Sequence, residues 1–158
     1  MRQPPAGEPG DRDSLEGRRA LIRAEALCAE HGQRLNDAGR RVLKALLAAD
    51  RALKAYDLTH ALATRGRSAG PPTIYRALRI LVGVGLVHRI ESLNAFVACR
   101  FPGEVHLPGF KICEACGAAE EFRVEPVPSQ ATGQDCRLVF EILGPCQSCG
   151  RSSARASS

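Results

Sequence analysis

The 158-residue sequence predicts an α+β fold: an N-terminal winged helix-turn-helix domain, then a small α/β domain carrying four paired cysteines. Three observations predict it. Apolar residues recur at helical spacing in four stretches before residue 85, and two short strand-like runs follow immediately. Basic residues crowd the same region, with 11 Lys and Arg against 3 Asp between Arg34 and Ile90. Two C-x-x-C pairs, Cys113/Cys116 and Cys146/Cys149, lie in the other half.

Residues 1–16 are rich in Pro, Gly and charge and read as a disordered tail. From Gly17 to Glu30, Leu21, Ile22, Ala24, Leu27 and Cys28 share one face of a first helix, where Cys28 serves as a small packing residue. Asn36 can cap a second helix running to Ala49, with Val42, Leu43, Leu46 and Leu47 as its buried stripe. A third, about Lys54 to Thr64, buries Ala55, Leu58, Ala61 and Leu62. Residues 66–70 form a loop. In P-P-T-I-Y-R-A-L-R-I-L-V-G-V-G, Pro72 suits a first helical turn, where a missing N–H leaves no bond unmade. Ile74, Ala77, Leu78, Leu81 and Val82 form the inner face, Thr73, Arg76, Arg79 and Ile80 the outer, and Gly85 closes the helix. Strands at 86–91 and 94–99 then make the wing, turning at Ser92-Leu93. A helical bundle with a stray hairpin is the competing reading of this half.

The winged-helix domain thus spans 17–100. Pro102-Gly103 and Pro108-Gly109 mark a hinge over 101–109. The second domain, 110–150, contains strand-like runs at 110–113, 119–124 and 137–143, and R-S-S-A-R-A-S-S over 151–158 reads as a second disordered tail.

Composition narrows the function. The chain carries 22 basic and 17 acidic residues, and its first hundred residues hold 17 of the basic against 10 of the acidic. A basic half joined to a slightly acidic, cysteine-bearing half suits a polyanion reader attached to a metal module. The longest apolar run, Ile80 to Val87, has eight residues, too few to cross a membrane. The N-terminus M-R-Q-P-P-A-G-E-P-G lacks an apolar core, so a secretory signal is not expected and the seven cysteines should be reduced. No His has Glu two positions on, which removes the zinc deaminases that P-C-Q-S-C superficially suggests.

Paired knuckles at Cys113/Cys116 and Cys146/Cys149 can supply four thiolates to one zinc, with Gly117 and Gly150 easing the turns. A closed four-sulfur set leaves no position for substrate, so the site is structural; a redox disulfide is the alternative. The 29 residues between Cys116 and Cys146 require a strand excursion, and knuckles at the ends of antiparallel strands would return the second pair. In the wing, the turn at Ser92-Leu93 pairs His88 with Val97, and Cys99 lies two residues on, diagonal to His88. His106 and an acid from E-A-C-G-A-A-E-E, Glu121 or Glu120, could complete a nitrogen, sulfur and oxygen set suited to zinc. Spacing alone also allows His88 to face phosphates. Cys136 reads as a bystander.

P-P-T-I-Y-R-A-L-R-I-L-V-G-V-G-L-V-H-R-I-E-S-L-N-A-F-V-A-C, followed by K-I-C-E-A-C-G-A-A-E-E-F, resembles the ferric uptake regulator superfamily, and within it the zinc uptake regulators, over residues 35–150. The resemblance implies a homodimeric, zinc-dependent repressor of zinc uptake genes in the bacterial cytoplasm. Such a protein is not an enzyme; it binds palindromic operator DNA, no membrane and no small-molecule substrate. It implies two zinc ions per subunit: a structural one on Cys113, Cys116, Cys146 and Cys149, and a regulatory one on His88, Cys99, His106 and Glu121. The second domain becomes the dimerisation domain. Tyr56 and Arg76 match positions that contact operator bases, and Thr73, Tyr75 and Arg79 complete the DNA-binding set. Arg79, Arg65 or Arg67 would serve phosphates. An iron- or peroxide-responsive regulator is the alternative, but the H-H-x-H stretch of those sensors is absent. Arg137 and Leu138 stand where a further histidine ligand often lies, and the segment Glu125 to Gln134 is short and proline-interrupted, so the dimer contact there should differ.

Overall fold

The computed structural model describes residues 15–49, 51–63, 70–125 and 140–154, the last four of these by backbone alone. Four helices come first: α1 (Leu15–Glu30), α2 (Asp37–Ala48), α3 (Ala55–Ala63) and α4 (Pro71–Gly83). The hairpin β1 (Val87–Ile90) and β2 (Ala95–Ala98) follows, then β3 (Pro108–Ile112), β4 (Ala119–Arg123), β5 (Phe140–Leu143) and α5 (Gln147–Ala154). Helices packed on a short hairpin, then a mixed three-stranded sheet, give the α+β winged-helix plan.

Local chemistry sets the helix ends. Asn36 is extended, and its side chain accepts the Gly39 N–H at 2.8 Å, satisfying one of the four unpaired donors of α2. Pro71 occupies the first turn of α4, together with Pro72. At the other end Gly85 takes φ +73°, while Leu86 N donates to Leu81 O at 2.9 Å and Gly85 N to Val82 O at 3.2 Å. This paired closure requires the left-handed conformation that glycine adopts without strain, and it turns the chain straight into the wing.

The inner faces converge on one core. Ala24, Leu27 and Cys28 of α1 pack with Val42, Leu43 and Leu46 of α2, Leu58 and Leu62 of α3, and Ile74, Ala77, Leu78 and Leu81 of α4. Each fully buried Val, Ile or Leu contributes about 1.5–3 kcal/mol relative to an exposed one. Three residues expected on buried faces lie outside: Ile22 is 67% exposed, Leu47 36%, and Ala61 is exposed. Each sits at the margin of its apolar stripe, where the helix face turns from the core toward solvent.

The wing register follows the predicted pairing, with His88 opposite Val97 and Ile90 opposite Ala95. The connection is a four-residue turn, 91–94, with Asn94 at φ +47°. Leu53 bridges Phe96, adding a third short edge to the hairpin.

The second sheet departs from expectation. Its order is β4-β3-β5, with β3 antiparallel to β4 but parallel to β5. Parallel β3 and β5 finish at the same edge, Ile112 beside Leu143, so both cysteine knuckles leave from one end. Knuckles on antiparallel strands would leave from opposite ends unless one strand overshot. The first strand begins at Pro108, inside the expected hinge, and Arg151–Ala154, expected in a disordered tail, continue α5 from the second knuckle. Ile90, Phe110 and Ile112 form a smaller core with Leu93, Val97 and Ala119 packed against it, so the wing rests directly on the sheet. Arg65, Arg67, Cys136, Arg137, Leu138 and the segment 126–134 lie outside the described residues. Among those described, no helix is long and apolar enough to cross a membrane.

Candidate metal centres and nucleic-acid face

The four-sulfur cluster grows from the shared end of β3 and β5. Cys113 follows Ile112, its N–H bonded to Ala118 O at 2.8 Å, and Gly117 at φ +73° closes the first knuckle onto Cys113 O. Gly144 N donates to Ile112 O at 3.0 Å and carries the chain to Cys146, and Gly150 N closes the second knuckle onto Cys146 O at 2.8 Å. The sulfurs of Cys113, Cys116, Cys146 and Cys149 all lie within 4.8 Å of one another, and all four are free thiols. A zinc–sulfur distance of about 2.3 Å implies tetrahedral edges of about 3.8 Å. Cys116 and Cys146 are 3.8 Å apart. The set therefore fits zinc, whereas a redox disulfide would use two sulfurs and leave two without a role.

Electrostatics points the same way. Backbone N–H groups of Cys146, Cys116 and Ala115, overriding the cost of burial, hold the Cys113 thiol down at about 6. The neighbouring sulfurs of Cys146, Cys116 and Cys113 push Cys149 up to about 12. Four thiolates cannot share this space without a cation between them.

The second cluster joins three parts of the chain. His88 comes from β1, Cys99 follows β2, His106 lies in the connecting segment, and Glu121 is in β4; one ligand atom of each lies within 4.8 Å of all the others. Glu121 is only 5% exposed, although strand alternation would place an apolar side chain there. Its Oε2 accepts the Arg100 N–H at 2.7 Å, and its Oε1 meets His106 Nε2 at 2.9 Å and His88 Nε2 at 3.1 Å. Burial alone would push this carboxyl up, but the His88 ring, the Arg100 amide and His106 outweigh burial and hold it below its ordinary value.

Two details test whether a cation fits. His88 Nε2 is fully buried and, although 3.1 Å from Glu121 Oε1, makes no well-formed hydrogen bond, so this nitrogen is placed to ligate a cation beside the carboxylate. His106 Nδ1 donates to the Glu104 carbonyl at 2.8 Å, which orients the ring and leaves Nε2 aimed into the cluster. A ligating histidine is typically held in this manner through its other nitrogen. Burial first, and the Glu121 carboxylate second, push Cys99 up to about 12, so without a cation it is a thiol. A cleft of about 570 Å³, lined by Arg51, Arg100 and Glu120 among others, reaches Cys99 and Glu121 from outside. Glu120, the other candidate acid, points outward to Arg100 at 3.6 Å.

The DNA-facing candidates form a separate group. Thr73, Tyr75, Arg76 and Arg79 are all exposed on α4, opposite its core face, and Tyr56 on the first turn of α3 is 75% exposed. None joins a metal cluster. The sequence did not signal the Arg100 amide, a backbone donor that any residue could provide. Nor did it signal the bracing of the connecting segment, where Arg123 stacks over Phe101 at 4.0 Å and pairs with Glu104.

A winged helix-turn-helix followed by a mixed sheet, with two groups of side chains that could each hold a metal ion, defines a protein of the winged-helix class with two candidate metal centres. The sequence profile of the Ferric uptake regulator family matches residues 30–137, and the chain belongs to that family. It is 40% identical over 137 residues to the zinc uptake regulation protein of Escherichia coli (strain K12), covering 82% of this chain and 80% of that one. Among solved structures, a zinc uptake regulator complexed with zinc and DNA matches with a TM-score of 0.79 and 34% identity, over 89% of this chain and 99% of that one. Holo XcZur matches with a TM-score of 0.73 and 34% identity, over 85% and 99%.

Proposed function

We propose that this protein is a zinc-responsive transcriptional repressor that binds palindromic operator DNA as a homodimer and controls zinc uptake genes in the bacterial cytoplasm. It has no catalytic role. The observation that carries the reading is the second cluster, because its four donors belong to the wing, the connecting segment and the sheet. Similarity to zinc uptake regulators at 34–40% identity supports zinc as the metal. So does the soft thiolate of Cys99, which the iron- and peroxide-sensing alternative leaves unexplained.

Each subunit would hold two ions, a structural one on Cys113, Cys116, Cys146 and Cys149 and a regulatory one on His88, Cys99, His106 and Glu121. Zinc at the regulatory site supplies a Lewis-acidic centre that neutralises the Cys99 thiolate and Glu121 together. His88 and Cys99 then tie the wing, and His106 the connecting segment, to Glu121 of the dimerisation sheet. Glu121 keeps the Arg100 amide, so the strand leaving the wing is held at the same point. A reading head fixed in this way no longer loses orientational freedom when it meets DNA. Two heads on a dimer can then place both α4 helices in successive major grooves. Arg76 offers a bidentate pair to guanine, Tyr56, Thr73 and Tyr75 line the same surface, and Arg79 meets phosphate.

The test is a gel-shift titration against buffered free zinc, using a duplex that the zinc-loaded protein selects from a random pool. Zinc should restore selective binding to chelated protein. Restoration by ferrous ion and not by zinc would overturn the assignment.

A further inference from the structure

The three strands of the second sheet carry a row of side chains at one level. Phe110 of β3 is paired with Glu121 of β4 on one side and with Glu141 of β5 on the other. Residues paired across strands project to the same face, so both carboxylates flank Phe110 on the face that carries the wing. Phe110 is fully buried, its ring 5.7 Å from His88, and it shares a small core with Ile90. Glu121 meets the base of the wing through His88 at 3.1 Å and the Arg100 N–H at 2.7 Å. At the opposite edge of the sheet, Glu141 Oε1 accepts the Glu91 N–H at 2.9 Å, with the Ser92 N–H at 3.5 Å. Those two amides belong to the wing's turn.

We infer that Glu141 is a positioning residue for DNA recognition: a second anchor that fixes the tip of the wing to the dimerisation sheet without using the metal. The inference rests on the proposed function, since it concerns how the reading head is aimed. Held at two points about 10 Å apart, the wing keeps only rotation about the line joining them, and the packing of Ile90, Leu93 and Val97 against Phe110 and Ile112 opposes that rotation. Neighbouring strands are about 4.8 Å apart, so Glu121 and Glu141 lie about 10 Å from each other across β3. The tip transmits this hold because it is braced internally. Asn94 N donates to Glu91 O at 3.1 Å, and Arg89 donates to Asn94 Oδ1 at 3.0 Å. A carboxylate accepting backbone N–H groups makes a charge-assisted bond, stronger than a neutral one. Glu141 therefore adds a directional hold at the tip, beyond the polar cluster at the base of the wing and the apolar packing between them.

A matched pair of variants tests this in the full-length, zinc-loaded protein. Glu141→Gln retains an acceptor oxygen and loses the charge; Glu141→Met has similar length and no acceptor. Glu141→Met should bind the selected duplex about tenfold more weakly at saturating zinc, with both ions retained, while Glu141→Gln stays within about threefold of wild type. Amide hydrogen exchange, which needs no DNA, should quicken at Glu91 and Ser92 in Glu141→Met only. Unchanged exchange there, or equal binding by Glu141→Met and wild type, overturns the anchor. Tighter binding by both variants would also overturn it, because Glu141 would then act only as a negative charge near phosphate. A wild-type protein indifferent to zinc would defeat the proposed function instead, and the exchange measurement would still decide the contact.

Discussion

The Cys99 thiol makes the proton cost of metal binding measurable. Burial and the Glu121 carboxylate push Cys99 from the ordinary 9.0 to about 12, so the metal-free protein keeps this proton throughout the neutral and mildly alkaline range. A metal takes the thiolate, so each ion bound at the second cluster must release that proton, and the binding constant should rise tenfold per pH unit. Between about pH 8 and about pH 10, above the ordinary imidazole range, affinity should climb about 100-fold, or about 2.7 kcal/mol. An unperturbed thiol would already be losing its proton there and would give only about tenfold. Competition against a chelator of known pH dependence, with the four-cysteine site left filled, reads the slope. Cys99→Ser should flatten it and weaken binding severely. A rise of tenfold or less across the window in wild-type protein would refute the reasoning, since Cys99 would then not be the protonated ligand the buried geometry requires. The sign for stability is opposite: a raised folded-state value favours the fold below 9.0, so metal-free protein should lose stability as pH climbs from 9.0 toward about 12.

Three substitutions probe the other parts. Cys113→Ser removes a sulfur from the four-cysteine set and should lower the melting temperature of the zinc-loaded protein by ten degrees or more, on the order of several kcal/mol; an unchanged melting curve would argue against a structural ion. Arg76→Ala should cost about 1–3 kcal/mol on the selected duplex and little on random DNA, by fluorescence anisotropy; equal weakening on both would make Arg76 a phosphate contact. Gly109→Ala would place a methyl 2.5 Å from the Phe122 ring, its partner across β3 and β4. Denaturant unfolding should show a loss of about 1–3 kcal/mol with the α1–α4 core unaffected, and wild-type stability would mean the ring turns aside freely.

The helices and wing were legible because periodicity and register are local. The spacing of Ile74, Ala77, Leu78 and Leu81 states which face of α4 is inward, and a turn at 91–94 forces His88 opposite Val97. Cys99 could then be placed beside His88 by counting. Sequence could not decide the direction of β5, because parallel and antiparallel partners read alike when the connecting residues have no clear period. It also could not separate Glu120 from Glu121 by spacing alone. The structure separates them through strand alternation: Glu121 shares a face with the buried side of β4, and Glu120 turns to Arg100 in solvent. Ile22 and Leu47 lie at the edges of their stripes, where spacing alone does not say whether an apolar side chain faces the core or solvent.

The direction of β5 has consequences beyond the cysteines. With β5 parallel to β3, Leu143 ends beside Ile112 and delivers the second knuckle to the first. The same register fixes Glu141 level with Phe110, and therefore level with Glu121. A one-residue slip of β5 would put Glu141 on the opposite face, away from the wing, and would displace Cys146 from Cys116. One strand thus couples the four-cysteine site to the hold on the wing tip, even though the two share no residue. Loss of the structural ion should accordingly loosen the tip as well as the knuckles. Exchange at Glu91 and Ser92 should quicken in Cys113→Ser even with the second cluster filled, whereas a tip held only through Glu121 would not respond.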